Sequence, residues 1–214
     1  MRWILPPHRQ RTRRPGQRGQ GLVEFSLVGG LFFFLVFSIV NAGFFLYGRG
    51  AVEYAADVGT TTIAAEGGCT GGGGVCVTLP ASCAGYTDAT VYNYPDEVAI
   101  CRMDQAGLTT TPFIKVTSIY VYLIKQNANG TQVDSCNSSG TGTGNLPCNA
   151  TQFNEYDVSG NLLSGTGWPA TSRNVSTNDA NFGRLVINFQ YAVIATAETF
   201  SESTSNVFRL EPQQ

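Results

Sequence analysis

Residues 19–47 read GQGLVEFSLVGGLFFFLVFSIVNAGFFLY, and this stretch decides the architecture of the chain. Between Leu22 and Tyr47 there is one acidic residue, Glu24, and no basic residue. As a helix, this segment would be about 39 Å long at about 1.5 Å per residue, whereas a bilayer's hydrocarbon core is about 30 Å thick. We therefore predict a transmembrane helix over about 22–47. A carboxylate inside such a helix is costly, so Glu24 calls for a charged or polar partner.

A basic tail precedes the apolar stretch. Six of the 13 Lys and Arg residues lie at or before Arg18, and all 15 Asp and Glu residues lie after it. Residues 20–214 therefore carry a formal charge of −8, from seven basic and 15 acidic side chains. Basic residues flank the cytoplasmic end of membrane helices, so we expect a cytoplasmic N-terminus and an extracytoplasmic C-terminal region. The alternative interpretation is a nucleic-acid-binding arm. The acidic remainder argues against it, and we expect no nucleic-acid partner.

All six cysteines follow the apolar stretch, at Cys69, Cys76, Cys83, Cys101, Cys136 and Cys148. An even number of cysteines in an exported region favours disulfide bonds, and six cysteines allow fifteen pairings. Cys136–Cys148 is the best single candidate, because it would close a loop rich in Gly, Ser and Thr. A metal site would need CxxC pairs or histidine partners, and the only histidine, His8, precedes the helix. We predict no metal and no cofactor.

The start of the apolar stretch resembles a known family. Basic residues, then Gly19, then Glu24 as the fifth residue of an apolar helix are similar to the class III signal peptides of type IV pilin-like proteins. Glu24-Phe25 is similar to the Glu-Tyr/Phe pair of the tight-adherence (Tad/Flp) branch. Residues 18–60 resemble the N-terminal module of TadE-like pilus-assembly proteins, including its Ala-Ala-x-x-Gly motif at 55–59. Thr60-Thr61 stands where that family usually has Ala-Arg.

The resemblance implies a pathway and a set of partners. A prepilin peptidase would cut between Gly19 and Gln20, and Glu24 and Phe25 would act in assembly. Further partners would be a major pilin, other pseudopilins, an inner-membrane platform protein and the lipid bilayer. The implied function is a minor pilin or pseudopilin in the bacterial cytoplasmic membrane that primes or caps a Tad-type pilus for surface adhesion. The plainer interpretation of Glu24 is a carboxylate at the headgroup boundary of a simple anchor.

Beyond the membrane, the pattern predicts an α+β protein. A helical stripe of apolar and small residues continues to about residue 65, with Glu53 and Asp57 facing solvent. The stripe comprises Ala42, Phe45, Leu46, Val52, Ala55, Ala56, Gly59 and Ile63. We divide the chain into a basic leader (1–19), the N-terminal helix (20–66), a Gly-rich linker (67–74) and a β-rich domain (75–214). The expected fold is a long pilin-like helix followed by a small, disulfide-bonded antiparallel sheet.

The β-rich domain contains two clear strand patterns. Phe113–Ile124 is rich in β-branched and aromatic residues, and simple alternation puts Ile114, Val116 and Tyr120 on one face. Leu185–Ile194 alternates with Asn188 and Gln190 on its wetter face. Weaker β signals cover 75–79, 89–92, 97–103, 131–133 after a turn at 127–130, and 195–210. Residues 134–180 are predicted to form a long polar loop anchored by Trp168-Pro169. We expect four or five strands packed on the exposed half of the helix.

Enzyme signatures are scarce. Residues 20–214 contain no histidine, which excludes Ser-His-Asp and Cys-His catalysis there. Asp88, Asp96 and Glu97 could be paired carboxylates, but we interpret them as solvated loop acids. We therefore predict that the protein is not an enzyme. Two further hypotheses stay open: a subunit of another pilin-like filament, and a single-pass membrane-anchored extracytoplasmic binding module.

Overall fold

The computed structural model describes residues 17–66, 81–86, 94–124, 152–164, 167–173, 181–194 and 198–210. It divides into two compact units, Met1–Ala42 and Gly43–Gln214. Several predictions fall outside the described residues: the linker at 67–74, the weak strands at 75–79 and 89–92, and the turn and strand over 127–133. Cys69, Cys76, Cys136, Cys148 and Asp88 also fall outside them.

Helix α1 covers Gln17–Glu66. Its apolar sequence up to Val40 and the predicted stripe beyond it explain this length. Within the second unit, the stripe is buried at Val52, Ala55, Ala56, Gly59 and Ile63, whereas Leu46 is exposed. Glu53 and Asp57 are exposed, as predicted.

The second unit contains a five-stranded antiparallel sheet. The strands are β1 (Ile114–Ile124), β2 (Phe153–Tyr156), β3 (Leu162–Ser164), β4 (Phe182–Ala192) and β5 (Thr199–Arg209). Their spatial order is β3-β2-β1-β4-β5. The C-terminal part of α1 shares its core with residues of β1 and β4, including Ile119, Val121, Leu185 and Ile187. The predicted α+β architecture, a long apolar helix followed by an antiparallel sheet, is confirmed.

The predicted faces of β1 were wrong in its first half. The register between β1 and β4 shifts between Val116 and Ser118, so Thr117 is an extra, bulged residue. A bulge reverses the alternation of side chains along a strand. Ile114 and Val116 therefore join Ile119 in the main core, whereas Tyr120 belongs to a smaller cluster.

Two further predictions need correction. Residues 97–103 form part of a helix, α2 (Tyr94–Gln105), and not a strand. Its Val-Ala-Ile-Cys run is buried at every position. Because the apolar residues are consecutive, they do not show the spacing of three to four residues that indicates a helix. The region 134–180 is not all loop, because it supplies β2, β3 and a 3₁₀ turn at Ala170–Ser172. Trp168 within it is fully buried, as its predicted role as an anchor requires.

Cys83 and Cys101, two of the six disulfide candidates, form a disulfide bond. Their Cα atoms lie 5.7 Å apart, and the bond links the 3₁₀ helix Ala81–Tyr86 to α2. The two cysteines are 18 positions apart in the sequence, and the loop that the bond closes restricts the unfolded chain.

Candidate functional site

The N-terminal unit exposes an unusually apolar helix surface. Every large apolar side chain from Leu22 to Val40 is exposed, including Phe32, Phe33 and Phe34 in succession. Monomeric soluble proteins rarely expose a continuous apolar surface of this extent. By length and composition, α1 could cross a membrane as a single span.

Three polar side chains of the apolar segment donate hydrogen bonds to the backbone of the same helix. Ser26 Oγ donates to the Val23 carbonyl at 3.0 Å, and Ser38 Oγ donates to the Phe34 carbonyl at 2.8 Å. Asn41 Nδ2 donates to the Phe37 carbonyl at 3.0 Å. In hydrocarbon, polar groups need such internal partners because water is absent. The segment therefore presents little unpaired polarity to lipid or to a neighbouring apolar helix.

The predicted cleavage and pairing residues lie at the beginning of α1. The backbone of Gly19 and Gln20 is helical, because the helix begins at Gln17. Glu24 and Phe25 are both exposed. Residues four apart lie on the same helix face. Glu24 therefore lies one turn beyond Gln20. Its carboxylate is close to the N-terminal end of the exposed apolar surface.

The second half of the N-terminal motif packs into the domain. Ala55, Ala56 and Gly59 are buried, and a Cβ atom added to Gly59 would lie 2.5 Å from Met103 Sδ and 2.8 Å from Leu185 Cδ2. Small residues at these positions let α1 lie close against α2 and β4. Thr60 is also buried, and its hydroxyl donates to the Ala56 carbonyl at 2.9 Å. The Ala-Ala-x-x-Gly motif is thus a packing surface, in agreement with its place in the predicted helical stripe.

A buried ion pair links distant parts of the domain. Arg173 Nη2 lies 2.7 Å from Asp96 Oδ2, and both side chains are fully buried. Asn154 Nδ2 and the Tyr156 hydroxyl each donate to the same carboxylate at 2.9 Å. The guanidinium carbon of Arg173 also lies 4.5 Å from the Trp168 ring centroid. The interpretation of Asp96 as a solvated loop acid is therefore wrong.

The electrostatics of this cluster favour a structural role. Burial, and then the charge of Asp96, raise the pKa of Tyr156 well above its usual value of 10. The hydroxyl is consequently a stable hydrogen-bond donor. Glu97, also predicted to be solvated, is buried beside the cluster and adds to the same shift. Within the described ranges, no three His, Cys, Asp or Glu side chains meet as metal ligands would.

Within the described residues, these features define a class of protein: an exposed apolar N-terminal helix followed by a disulfide-bonded α+β domain. Residues 19–60 match the family model described as TadE-like protein. The N-terminal segment is thus similar to a TadE-like domain. Comparisons with curated proteins and with solved structures gave no significant match.

Proposed function

We propose that the protein is a minor pilin or pseudopilin that primes or caps a Tad-type pilus for surface adhesion. The TadE-like domain supports a pilin-like protein associated with that system. The protein would be inserted in the bacterial cytoplasmic membrane, with the basic leader inside and the sheet domain outside. Its partners would be a prepilin peptidase, a major pilin, other pseudopilins and the inner-membrane platform protein.

The observation that carries this proposal is the exposed Glu24 at the start of an exposed apolar helix. Cleavage between Gly19 and Gln20 would release an α-amine that is largely cationic near neutral pH. It would also leave Glu24 one turn from the new N-terminus, close to the end of the helix where the dipole favours an anion. Among bundled helices, the carboxylate of one subunit would neutralise the amine of its neighbour. Two charges that are costly in lipid would thereby fix the docking register.

The helix surface suits both environments that this pathway requires. Its exposed apolar side chains are compatible with lipid before assembly and with other helices afterwards. A Cβ added at Gly21, Gly29, Gly30 or Gly43 would meet nothing within 4 Å, so these glycines leave the helix surface open. Small residues allow membrane helices to approach closely.

The size of the domain favours a minor subunit. Most of the residues after Gly19 would lie in the extracytoplasmic domain. The resemblance implies a short Flp-type major pilin in this branch, so a larger chain with a five-stranded sheet suits a priming or tip position. The same features support a non-enzymatic, structural role.

A pair of matched glutamate variants tests the proposal. Glu24→Gln keeps the shape of the side chain and removes its charge. Glu53→Gln does the same on an exposed part of the same helix, where Glu53 pairs with Arg49 at 2.9 Å. We expect the peptidase to process Glu24→Gln normally. We expect the yield of its cross-link to the major pilin to fall at least about tenfold, which corresponds to the loss of about 1.4 kcal/mol of binding free energy between the subunits. Glu53→Gln should assemble normally.

The readout is the amount of cross-linked complex in membranes and the number of pili per cell. Normal assembly of Glu24→Gln would contradict the charge-pairing mechanism. Equal loss of assembly in both variants would show that the effect is not specific to the start of the helix.

A further inference from the structure

Exposed aromatic and aliphatic side chains cluster at one end of the second unit. We call Phe44, Phe113, Ile194 and Phe200 the boundary patch; all four are exposed. The ring centroids of Phe44 and Phe113 lie 5.1 Å apart. The patch therefore joins α1 to the beginning of β1.

The strand register places the other members at the same end of the sheet. Tyr191 in β4 pairs with Ile114 on one side and with Phe200 on the other. The Tyr191 ring also lies 5.3 Å from the ring of Phe45, the neighbour of Phe44 in α1. Ile194 follows two residues after the end of β4. The patch is thus one rim of the domain, next to residues 44–45 of the helix.

The length of the apolar segment indicates what this rim faces. A hydrocarbon core about 30 Å thick takes about 20 helical residues. The predicted segment over about 22–47 is longer than this, and a span perpendicular to the bilayer that begins at Leu22 would be complete near Asn41. Phe44 and Phe45 would then lie just outside the core, at the membrane–water interface, which is the level at which Trp and Tyr concentrate in membrane proteins. Side chains in contact with them would lie at the same level.

The backbone at Phe113 supports a role for its ring. Phe113 has a φ of 64°, in the left-handed region that costs a non-glycine residue about 1–2 kcal/mol. This geometry lets the Phe113 carbonyl accept a hydrogen bond from Ala192 N at 2.9 Å while the ring meets Phe44. Glycine would avoid the strain, but it would supply no apolar surface.

Charged residues border the patch and limit its depth. Arg49, Lys115 and Glu198 are exposed near the same end of the unit. Charged side chains are costly in hydrocarbon but are tolerated among headgroups. This border fits contact with the headgroup boundary and not insertion into the acyl core.

We propose that the boundary patch rests on the outer leaflet of the membrane that α1 spans, so that lipid is its partner before assembly. This inference depends on membrane insertion of α1, which is part of the proposed function. In addition to the proposed function, it assigns a lipid-binding surface to the sheet domain. The contact would hold the domain against the bilayer, and the domain would leave the bilayer when the subunit enters a filament.

Single tryptophan substitutions in the full chain test the patch. Phe200→Trp places the probe in the patch. Leu163→Trp is a control with the same exposed fraction, since both side chains are 55% exposed. Val207→Trp lies on the same strand as Phe200, about 23 Å further along at about 3.3 Å per residue. Phe37→Trp reports insertion of the helix itself. Each protein is reconstituted in phosphatidylcholine vesicles with or without bromine atoms high in the acyl chains.

We expect bromine to quench Phe200→Trp and Phe37→Trp beyond the wild-type background of Trp3 and Trp168. In Leu163→Trp and Val207→Trp, bromine should quench the emission no more than it does in the wild type. Quenching of Phe37→Trp without quenching of Phe200→Trp would overturn the patch and leave membrane anchoring intact. Absence of quenching in both would overturn anchoring and the patch together.

A second substitution tests whether the patch acts as a unit. Asparagine tolerates the left-handed conformation, so Phe113→Asn is compatible with the fold and removes an apolar ring. In the double variant Phe113→Asn/Phe200→Trp, bromine should quench the tryptophan at position 200 less than it does in Phe200→Trp alone. Unchanged quenching would show that Phe113 does not contribute to the lipid contact.

Discussion

Two glycines of the same helix should respond in opposite ways to replacement by alanine. Alanine is favoured over glycine in a helix by about 1 kcal/mol. At Gly50 an added Cβ meets nothing within 4 Å, so Gly50→Ala should stabilise the protein by about that amount. At Gly59 the added Cβ would lie 2.5 Å from Met103 Sδ and 2.8 Å from Leu185 Cδ2, about 1 Å short of contact distance. Both neighbours are fully buried.

Overpacking a core costs about 1–3 kcal/mol, which exceeds the gain in helix propensity over most of its range. We expect Gly59→Ala to lower the free energy of unfolding, and to lie about 1–3 kcal/mol below Gly50→Ala. Urea unfolding in detergent, followed by the emission of the buried Trp168, measures both variants. Equal stabilisation by the two substitutions would refute the close packing of α1 against α2 and β4.

Three further perturbations probe the domain. Gly183→Ala should cost more than Gly59→Ala in the same urea assay, because the added Cβ would overlap the aromatic ring of Phe208 in the adjacent strand. Arg173→Met should cost about 3–5 kcal/mol by leaving a buried carboxylate unpaired, whereas Arg49→Met, which breaks an exposed pair, should cost less than about 1 kcal/mol. Because the pKa of Tyr156 is raised in the folded state, its contribution is complete below about pH 10 and is lost as pH rises toward the folded pKa. Tyr156→Phe should flatten this alkaline decline in melting temperature.

The parts of the fold that sequence predicts well have long, regular patterns. Helix α1 combines an unbroken apolar run with a continuing stripe of small residues, so both its type and its end at Glu66 could be predicted. Strand β4 alternates along most of its length, with Leu185, Ile187 and Phe189 buried, and Val186 is the exception because it is buried on the other face. In both elements, local propensity and burial favour the same structure.

The errors arise where tertiary contacts override the local pattern. The bulge at Thr117 depends on the pairing of β1 with β4, which alternation within one strand cannot reveal. The short strand β2 points Asn154 inward, where it binds Asp96 and the backbone of Trp168. In the sequence, a polar residue such as Asn154 favours the prediction of a loop. The Asp96–Arg173 pair joins residues 77 positions apart, so neither member carries a local signal.

The functional surfaces also differ in whether their residues are contiguous in the sequence. Glu24 and the exposed apolar helix could be found from sequence because the motif is contiguous. The boundary patch could not, because its members come from α1 and from the ends of β1, β4 and β5. Only the strand register and the contact between Phe44 and Phe113 bring them to one rim.

The central claim is that the chain enters a pilin-like pathway through cleavage after Gly19. The most direct test is the N-terminal sequence and intact mass of the protein recovered from membranes, with and without a co-expressed prepilin peptidase. We predict a start at Gln20 with the peptidase and at Met1 without it. A start at Met1 under both conditions, or a cut beyond Tyr47, would contradict the claim and favour an anchored or secreted binding domain.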